Sequence, residues 1–186
     1  MPTQSTLALL ALVTMTAIAP ALAEEPAAPT PPIELDQLKK FKGDWICTGE
    51  VPKGPLGPAR KTSTSVSFRT DLDGMWISGQ VEEAASPANP HAYRGTAYMT
   101  YDTAAKEFIT LWVDNTGGWG RQTTKGWDQS RIVWLGEGSL MGSKVTARDT
   151  FTDQGADLKH VGEVQINGKW SLVQNEFCKP KAAETK

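Results

Sequence analysis

Histidine and cysteine are scarce in this chain of 186 residues, with two of each. His91 and His160 lie far apart, so a histidine-based metal centre would need carboxylate help, and no metal ligands are assigned. There is no CxxC pair, nucleophile-elbow serine motif, phosphate-binding glycine loop or paired metalloprotease histidines. The usual redox, hydrolase, nucleotide and zinc signatures are therefore missing, and no catalytic residue is assigned. Charge of one sign is also lacking. The net charge is −2, which gives no global field to draw in nucleic acid or an anionic membrane. Long periodic apolar helices are absent too. Glycine and tryptophan are plentiful instead, at 17 and 7 residues, a mixture that favours an all-β domain with many turns.

The amino end reads as a secretory leader over residues 1–23. Leu7 to Ala19 is apolar but short for a bilayer span, and Ala21-Leu22-Ala23 places small residues before a cleavage point at Glu24. Its departure from the usual pattern is the start, since Met1 to Thr6 contains neither Lys nor Arg. No cysteine follows the apolar run, so no lipid anchor is expected. The expected location is periplasmic or secreted. Residues 24–32 form a Pro/Ala-rich spacer, 33–180 a single β-barrel domain and 181–186 a tail.

Within the domain, Ile33 to Phe41 reads as one short N-terminal helix, with Leu35, Leu38 and Phe41 on one face. Strands are expected over 44–51, 61–70, 75–84, 92–101, 107–114, 119–127, 131–137, 143–152, 157–166 and 169–178. Turn chemistry separates them: Pro52 to Pro58, Asp71-Leu72-Asp73-Gly74, Asn115-Thr116-Gly117-Gly118, Asp153-Gln154-Gly155 and, most sharply, Asn167-Gly168. About ten short strands with hairpin-length links imply a single antiparallel up-and-down barrel, because a meander this long must close to remove its edges.

Cys47 and Cys178 bracket nearly the whole domain. An exported chain would pair them as a disulfide between the first and last strands. Two free buried thiols are the alternative.

The Asn167-Gly168 turn fixes a register behind it, pairing Ile166 with Lys169. Carried along both strands, that register sets Leu158 opposite Phe177, His160 opposite Asn175, Lys159 opposite Glu176 and Gln165 opposite Trp170. The Lys159–Glu176 pair argues that its face sees water, which turns His160 inward. Cys178 shares that wet face, whereas Cys47 shares a face with Trp45, a candidate core residue, and this argues the reverse. A β-bulge in either strand would dissolve the conflict.

Two groups of residues are candidates for binding. Trp76, Trp112, Trp127 and Trp134 fall on different strands and could line a lumen or simply fill it. Arg148, if inward, would favour an acidic ligand. An inward His160 could serve as an axial haem ligand, and otherwise would bond Asn175 or face solvent beside it. Asp114 and the other aspartates at turns are read as backbone-bonding turn residues.

Gly43-Asp44-Trp45 resembles the G-x-W opening of the calycin barrels, the group of lipocalins, fatty-acid-binding proteins and nitrobindins. A longer series is similar to the family known as domain of unknown function 1579: Phe41 to Gly49, Tyr101-Asp102 with Phe108, Trp112-Val113-Asp114-Asn115, Lys125-Gly126-Trp127-Asp128 and Val133 to Glu137. The resemblance implies a calycin-like β-barrel and carries no catalytic residues. Nitrobindins share the opening at Gly43, Trp45 and Gly49, with Cys47 standing at a glycine position, and that likeness implies haem as a possible cofactor. Three readings follow: a monomeric barrel holding a small, partly apolar ligand; a haem protein; or an envelope structural or interaction protein with a filled core. An enzyme using the rim of an open barrel stands beside them.

Overall fold

The computed structural model describes residues 28–54, 57–87 and 89–182. The leader expected over 1–23, the start of the spacer and residues 183–186 lie outside the described residues. Eleven strands follow one another: β1 (Gly43–Val51), β2 (Arg60–Asp71), β3 (Trp76–Glu83), β4 (Tyr93–Asp102), β5 (Glu107–Asp114), β6 (Trp119–Thr124), β7 (Trp127–Asp128), β8 (Arg131–Leu140), β9 (Ser143–Gln154), β10 (Asp157–Ile166) and β11 (Lys169–Pro180). Sequential strands pair antiparallel, β1 pairs with β11, and β6 pairs with β8. Ten strands thus close into an up-and-down barrel, and the two-residue β7 lies outside the ring against β8. Closure leaves no open sheet edge in the ring.

Two-residue alternation decides which side chains face in. On β1, Trp45, Cys47 and Val51 are buried while Asp44, Thr48 and Glu50 are exposed. On β8, Ile132 and Trp134 are buried between exposed Arg131 and Leu135. The strand expected over 119–127 stops at Thr124. Gly126 has φ +102°, and a Cβ there would lie 2.7 Å from the Gln37 side chain, so only glycine fits the bend. That bend turns Trp127 out of the barrel wall.

The short N-terminal helix expected over Ile33–Phe41 is corrected to a nine-residue 3-10 helix. Three residues per turn stack Leu35, Leu38 and Phe41 above one another, and all three are buried. This segment closes one end of the barrel. Trp45 donates its Nε1–H to the Phe41 carbonyl at 2.8 Å, and Trp127 donates to the Gln37 carbonyl at 2.9 Å. Lys40 pairs with Asp153 at 2.8 Å. Phe41 meets Phe151, Trp127 and Phe68 at ring separations of 5.0, 5.6 and 5.9 Å. Around it Ile77, Met99, Phe108, Ile132, Trp134 and Leu158 complete the apolar core. Burial of side chains this size contributes about 1.5–3 kcal/mol each. Among the described residues no helix is long and apolar enough to cross a membrane.

The Cys47–Cys178 disulfide joins β1 to β11, where the two cysteines are direct cross-strand partners with Cα atoms 3.9 Å apart. The Asn167-Gly168 turn has both residues at positive φ, 51° and 77°, as a two-residue hairpin of this type requires. Its register holds back to Glu163 opposite Leu172 and then shifts: Val173 has no partner, and Gly162 pairs with Gln174. The expected pairings beyond that point are corrected by one residue. His160 stands opposite Glu176, Leu158 opposite Cys178, and Lys159 opposite Phe177, with its ammonium 5.6 Å from the ring. The bulge lets Cys178 and His160 face inward together.

Candidate functional site

The barrel interior has two halves. At the 3-10 helix end the inward side chains are dry, with Ile132 at 0% exposure. Toward the other end the inward positions become small or polar. Gly49, Gly79, Gly95, Gly120, Gly136, Gly138 and Gly162 alternate with Thr62, Thr64, Thr110, Gln122 and Ala147 on the same faces. On β5, β6 and β9, several of these positions are only half-buried although they point into the barrel.

A polar chain crosses the lumen where the halves meet. Thr62 donates its hydroxyl to Glu176 Oε1 at 2.7 Å, and Thr64 donates to the same oxygen at 3.3 Å. His160 Nδ1 lies 3.9 Å from Glu176 Oε2, and its Nε2 lies 2.8 Å from Asp149 Oδ1. Gln122 donates to the other oxygen of Asp149 at 2.6 Å. Phe151 stacks on the imidazole at 4.4 Å, marking the start of the apolar floor. Five strands, β2, β11, β10, β9 and β6, contribute one link each or two, so the chain forms only when the barrel closes.

The protonation states follow from this geometry. Burial acts against a charge on His160, but the hydrogen bond to Asp149 and the nearby Glu176 carboxylate, with the charges of both, outweigh it and raise its pKa to about 9. Burial likewise acts against the Glu176 carboxylate and is overcome by the adjacent His160 and the Thr62 hydrogen bond, so its pKa is lowered. At neutral pH His160 is an imidazolium, with Asp149 on one side and Glu176 on the other.

A second polar group lies farther from the floor. Tyr93 donates its hydroxyl to Asp114 Oδ2 at 3.2 Å, and Trp112 donates its Nε1–H to the same oxygen at 3.3 Å. The two rings stack at 6.4 Å. Asp114 Oδ1 receives the backbone N–H groups of Thr116 and Gly118, the turn role read from sequence. Burial opposes its charge, but these bonds prevail and its pKa is lowered. Burial, then the Asp114 charge, raises the pKa of Tyr93, and the Asp149 charge adds to this. Arg60 and Glu83 form a further inward ion pair.

The expected binding residues separate by half and by face. Trp112 and His160 face the lumen. Trp134 is 2% exposed and belongs to the floor, while Trp127 fastens the 3-10 helix. Trp76 faces out, edge-on to Tyr98 at 6.5 Å. Arg148 also faces out, bound to Glu163 by two hydrogen bonds of 2.8 and 2.9 Å, with Trp170 beneath its guanidinium at 4.3 Å. Asp149, Glu176, Tyr93 and Gln122 were not singled out from sequence. Asp149 between Ala147 and Phe151, and Glu176 two residues before Cys178, share faces with apolar neighbours, and that shared face was the available signal.

Haem does not fit these residues. An axial ligand is a neutral imidazole with a free ring nitrogen, whereas both nitrogens of His160 face carboxylates and its ring is held protonated. Among the described residues no group of three His, Cys, Asp or Glu side chains is placed to hold a metal ion. Two open clefts mark the outside. The larger, about 720 Å³, lies at the closed end among Lys39, Lys42, Asp44 and Pro180. The other lies beside Lys125 and Arg131. Neither is lined by the polar chain, and the lumen remains the candidate site.

No curated protein matches the chain. Among solved structures it is similar to one described as Rv2717c from M. tuberculosis, with 12% identity, a TM-score of 0.65, and coverage of 82% of this chain and 100% of that one, a likeness of fold alone. A family model described as "Protein of unknown function (DUF1579)" matches residues 30–160, from before the 3-10 helix to His160 itself. With a barrel closed by its own first and last strands and most of its length matched, the chain belongs to the DUF1579 family.

Proposed function

We propose that this chain is an exported, monomeric binding protein that holds a small, partly apolar ligand in the solvent-reached half of its barrel. The observation that carries this reading is Asp149. Its side chain points inward, above a floor that is dry, and is nevertheless 31% exposed. A carboxylate that faces the lumen and still meets solvent supports an opening at the end away from the 3-10 helix. Half-buried Trp112 and Tyr93 supply apolar surface to the same lumen from β5 and β4. The leader-like residues 1–23 and a disulfide at the barrel seam support export. The filled-core alternative describes the floor, where Trp134 and Phe108 are packed, and a solvent-reached Asp149 weighs against extending it to the whole barrel.

The test is a calorimetric or tryptophan-fluorescence titration of the full chain with small amphiphiles, repeated on Gly120→Leu. Gly120 faces the lumen, and a Cβ there would have only ordinary contacts, 3.7 Å to the Glu137 carbonyl and 3.9 Å to Trp112. A leucine would fill the space without straining the backbone. Saturable binding of one ligand per chain, lost in Gly120→Leu, is expected. Binding that Gly120→Leu leaves unchanged would place the ligand elsewhere.

A further inference from the structure

The inward charges of the solvent-reached half discriminate between ligand classes. Four carboxylates, Glu83, Asp114, Asp149 and Glu176, face two cations, Arg60 and His160. Arg60 is taken up by Glu83, and His160 lies between Asp149 and Glu176. Asp114 meets only neutral donors, the Trp112 indole, the Tyr93 phenol and its own turn. Among these described ion pairs the lining therefore keeps an excess of negative charge. Inside low-dielectric walls such charge is weakly screened and concentrates counterions.

Accessibility then selects one carboxylate. Glu176 is 3% exposed and Glu83 is 9% exposed, whereas Asp149 is 31% exposed. Each Asp149 oxygen accepts one hydrogen bond, from His160 and from Gln122. A carboxylate has about four lone-pair sites, so Asp149 keeps acceptor capacity toward the lumen. Trp112 presents an aromatic ring to the same lumen from β5, the kind of surface to which a cation with an apolar body is attracted.

We infer that the lumen takes a small organic amine, its ammonium at Asp149 and its apolar body against Trp112. This rests on the lumen being the binding site, as proposed above, and adds the sign of the ligand's charge. The same excess of negative charge disfavours fatty acids and other carboxylates.

Three compounds with one phenyl-and-ethylene skeleton test it by calorimetry on the full chain: 2-phenylethylamine, 2-phenylethanol and 3-phenylpropanoate. The amine is expected to bind about tenfold or more tighter than the alcohol, the gain of one charge-assisted hydrogen bond, and the carboxylate not to bind. Asp149→Asn keeps the side-chain shape and should bring amine and alcohol to within about threefold. If that variant does not fold, the amine-to-alcohol preference of the parent chain still decides. An alcohol that binds as well as the amine, with binding abolished by Gly120→Leu, would overturn the amine assignment and leave the lumen reading standing. An amine preference that survives in folded Asp149→Asn would overturn the role of Asp149. Binding of none of the three would overturn both.

Discussion

His160 stands opposite Glu176 across β10 and β11 because one residue, Val173, has no partner. Without that bulge the hairpin would carry Lys159 to Glu176 and turn Cys178 to the opposite face from His160. With it, the imidazole, the carboxylate and the disulfide sulfur all point into the barrel. The bulge therefore joins the architecture to the site: the register that permits the Cys47–Cys178 seam also assembles the polar chain across the lumen.

That pairing predicts a pH-dependent stability. An unfolded histidine titrates near about 6.5. The folded pKa of about 9 means that the stabilisation is fully present below the unfolded value and is lost as pH rises from there through about 9. Glu176 works the other way: its lowered pKa gives stability that is present above the ordinary glutamate range and lost as pH falls below it. Stability should thus peak between the two ranges and decline by up to about 3 kcal/mol between pH 6.5 and 9.5. Urea denaturation across that interval checks the slope, and His160→Gln should flatten it. A parent chain equally stable at both ends would show that His160 is not held as an imidazolium.

The disulfide closes a loop with a sequence separation of 131. Chain-entropy reasoning gives about 5 kcal/mol as an upper figure for such a crosslink. Both sulfurs are buried, so a mild reductant should act slowly on the folded chain and faster in denaturant. Cys47→Ser/Cys178→Ser is expected to lower the urea midpoint by the equivalent of several kcal/mol. Ten strands should still form, because backbone pairing of β1 with β11 extends from Trp45 to Glu50. Loss of the strand signal in far-ultraviolet circular dichroism under native conditions would instead mean that the barrel depends on the crosslink.

The sealed end should be the most sensitive to truncation. Phe41 is 2% exposed and lies among Phe68, Trp127 and Phe151. Phe41→Ala should cost about 3–5 kcal/mol by cavity formation. The exposed Ile33, at the start of the same segment, should be replaceable by Ala within about 0.5 kcal/mol. Thermal denaturation of the two variants separates a packed floor from a loosely attached segment, since equal effects would mean that the helix is not docked.

The strands were legible in the sequence because turn residues such as Asn167-Gly168 and Asp153-Gln154-Gly155 have few alternatives to a turn, and alternation between turns is a local property. The 3-10 geometry was half-visible: Leu35, Leu38 and Phe41 repeat every third residue, a spacing that an α-helix also accommodates. The site was less legible. The bulge at Val173 has no residue signature, and one unpaired residue reverses every inward and outward assignment behind it. Glu176 read as a solvent-facing charge and Asp149 drew no reading, because carboxylates are seldom buried unless paired, and their partner His160 comes from another strand. Trp76 and Trp127 show the same limit: a tryptophan on a strand does not reveal whether it faces the lumen, the outside or a plug.

Gly95 and Trp112 provide a test of the lumen wall that needs no ligand. A Cβ on Gly95 would lie 2.1 Å from Trp112 Cζ2 and 2.3 Å from its Cη2, so the indole occupies the place a side chain would take. Gly95 has no strained φ, and therefore the clash alone should set the cost of Gly95→Ala, about 1–3 kcal/mol. Removing the ring should relieve it. In a double-mutant cycle with Trp112→Leu, the Gly95→Ala penalty is expected to fall by at least about 1 kcal/mol. Additive effects would mean that the indole can swing off the wall at little cost, and the surface offered to the lumen would then not be the fixed ring described above.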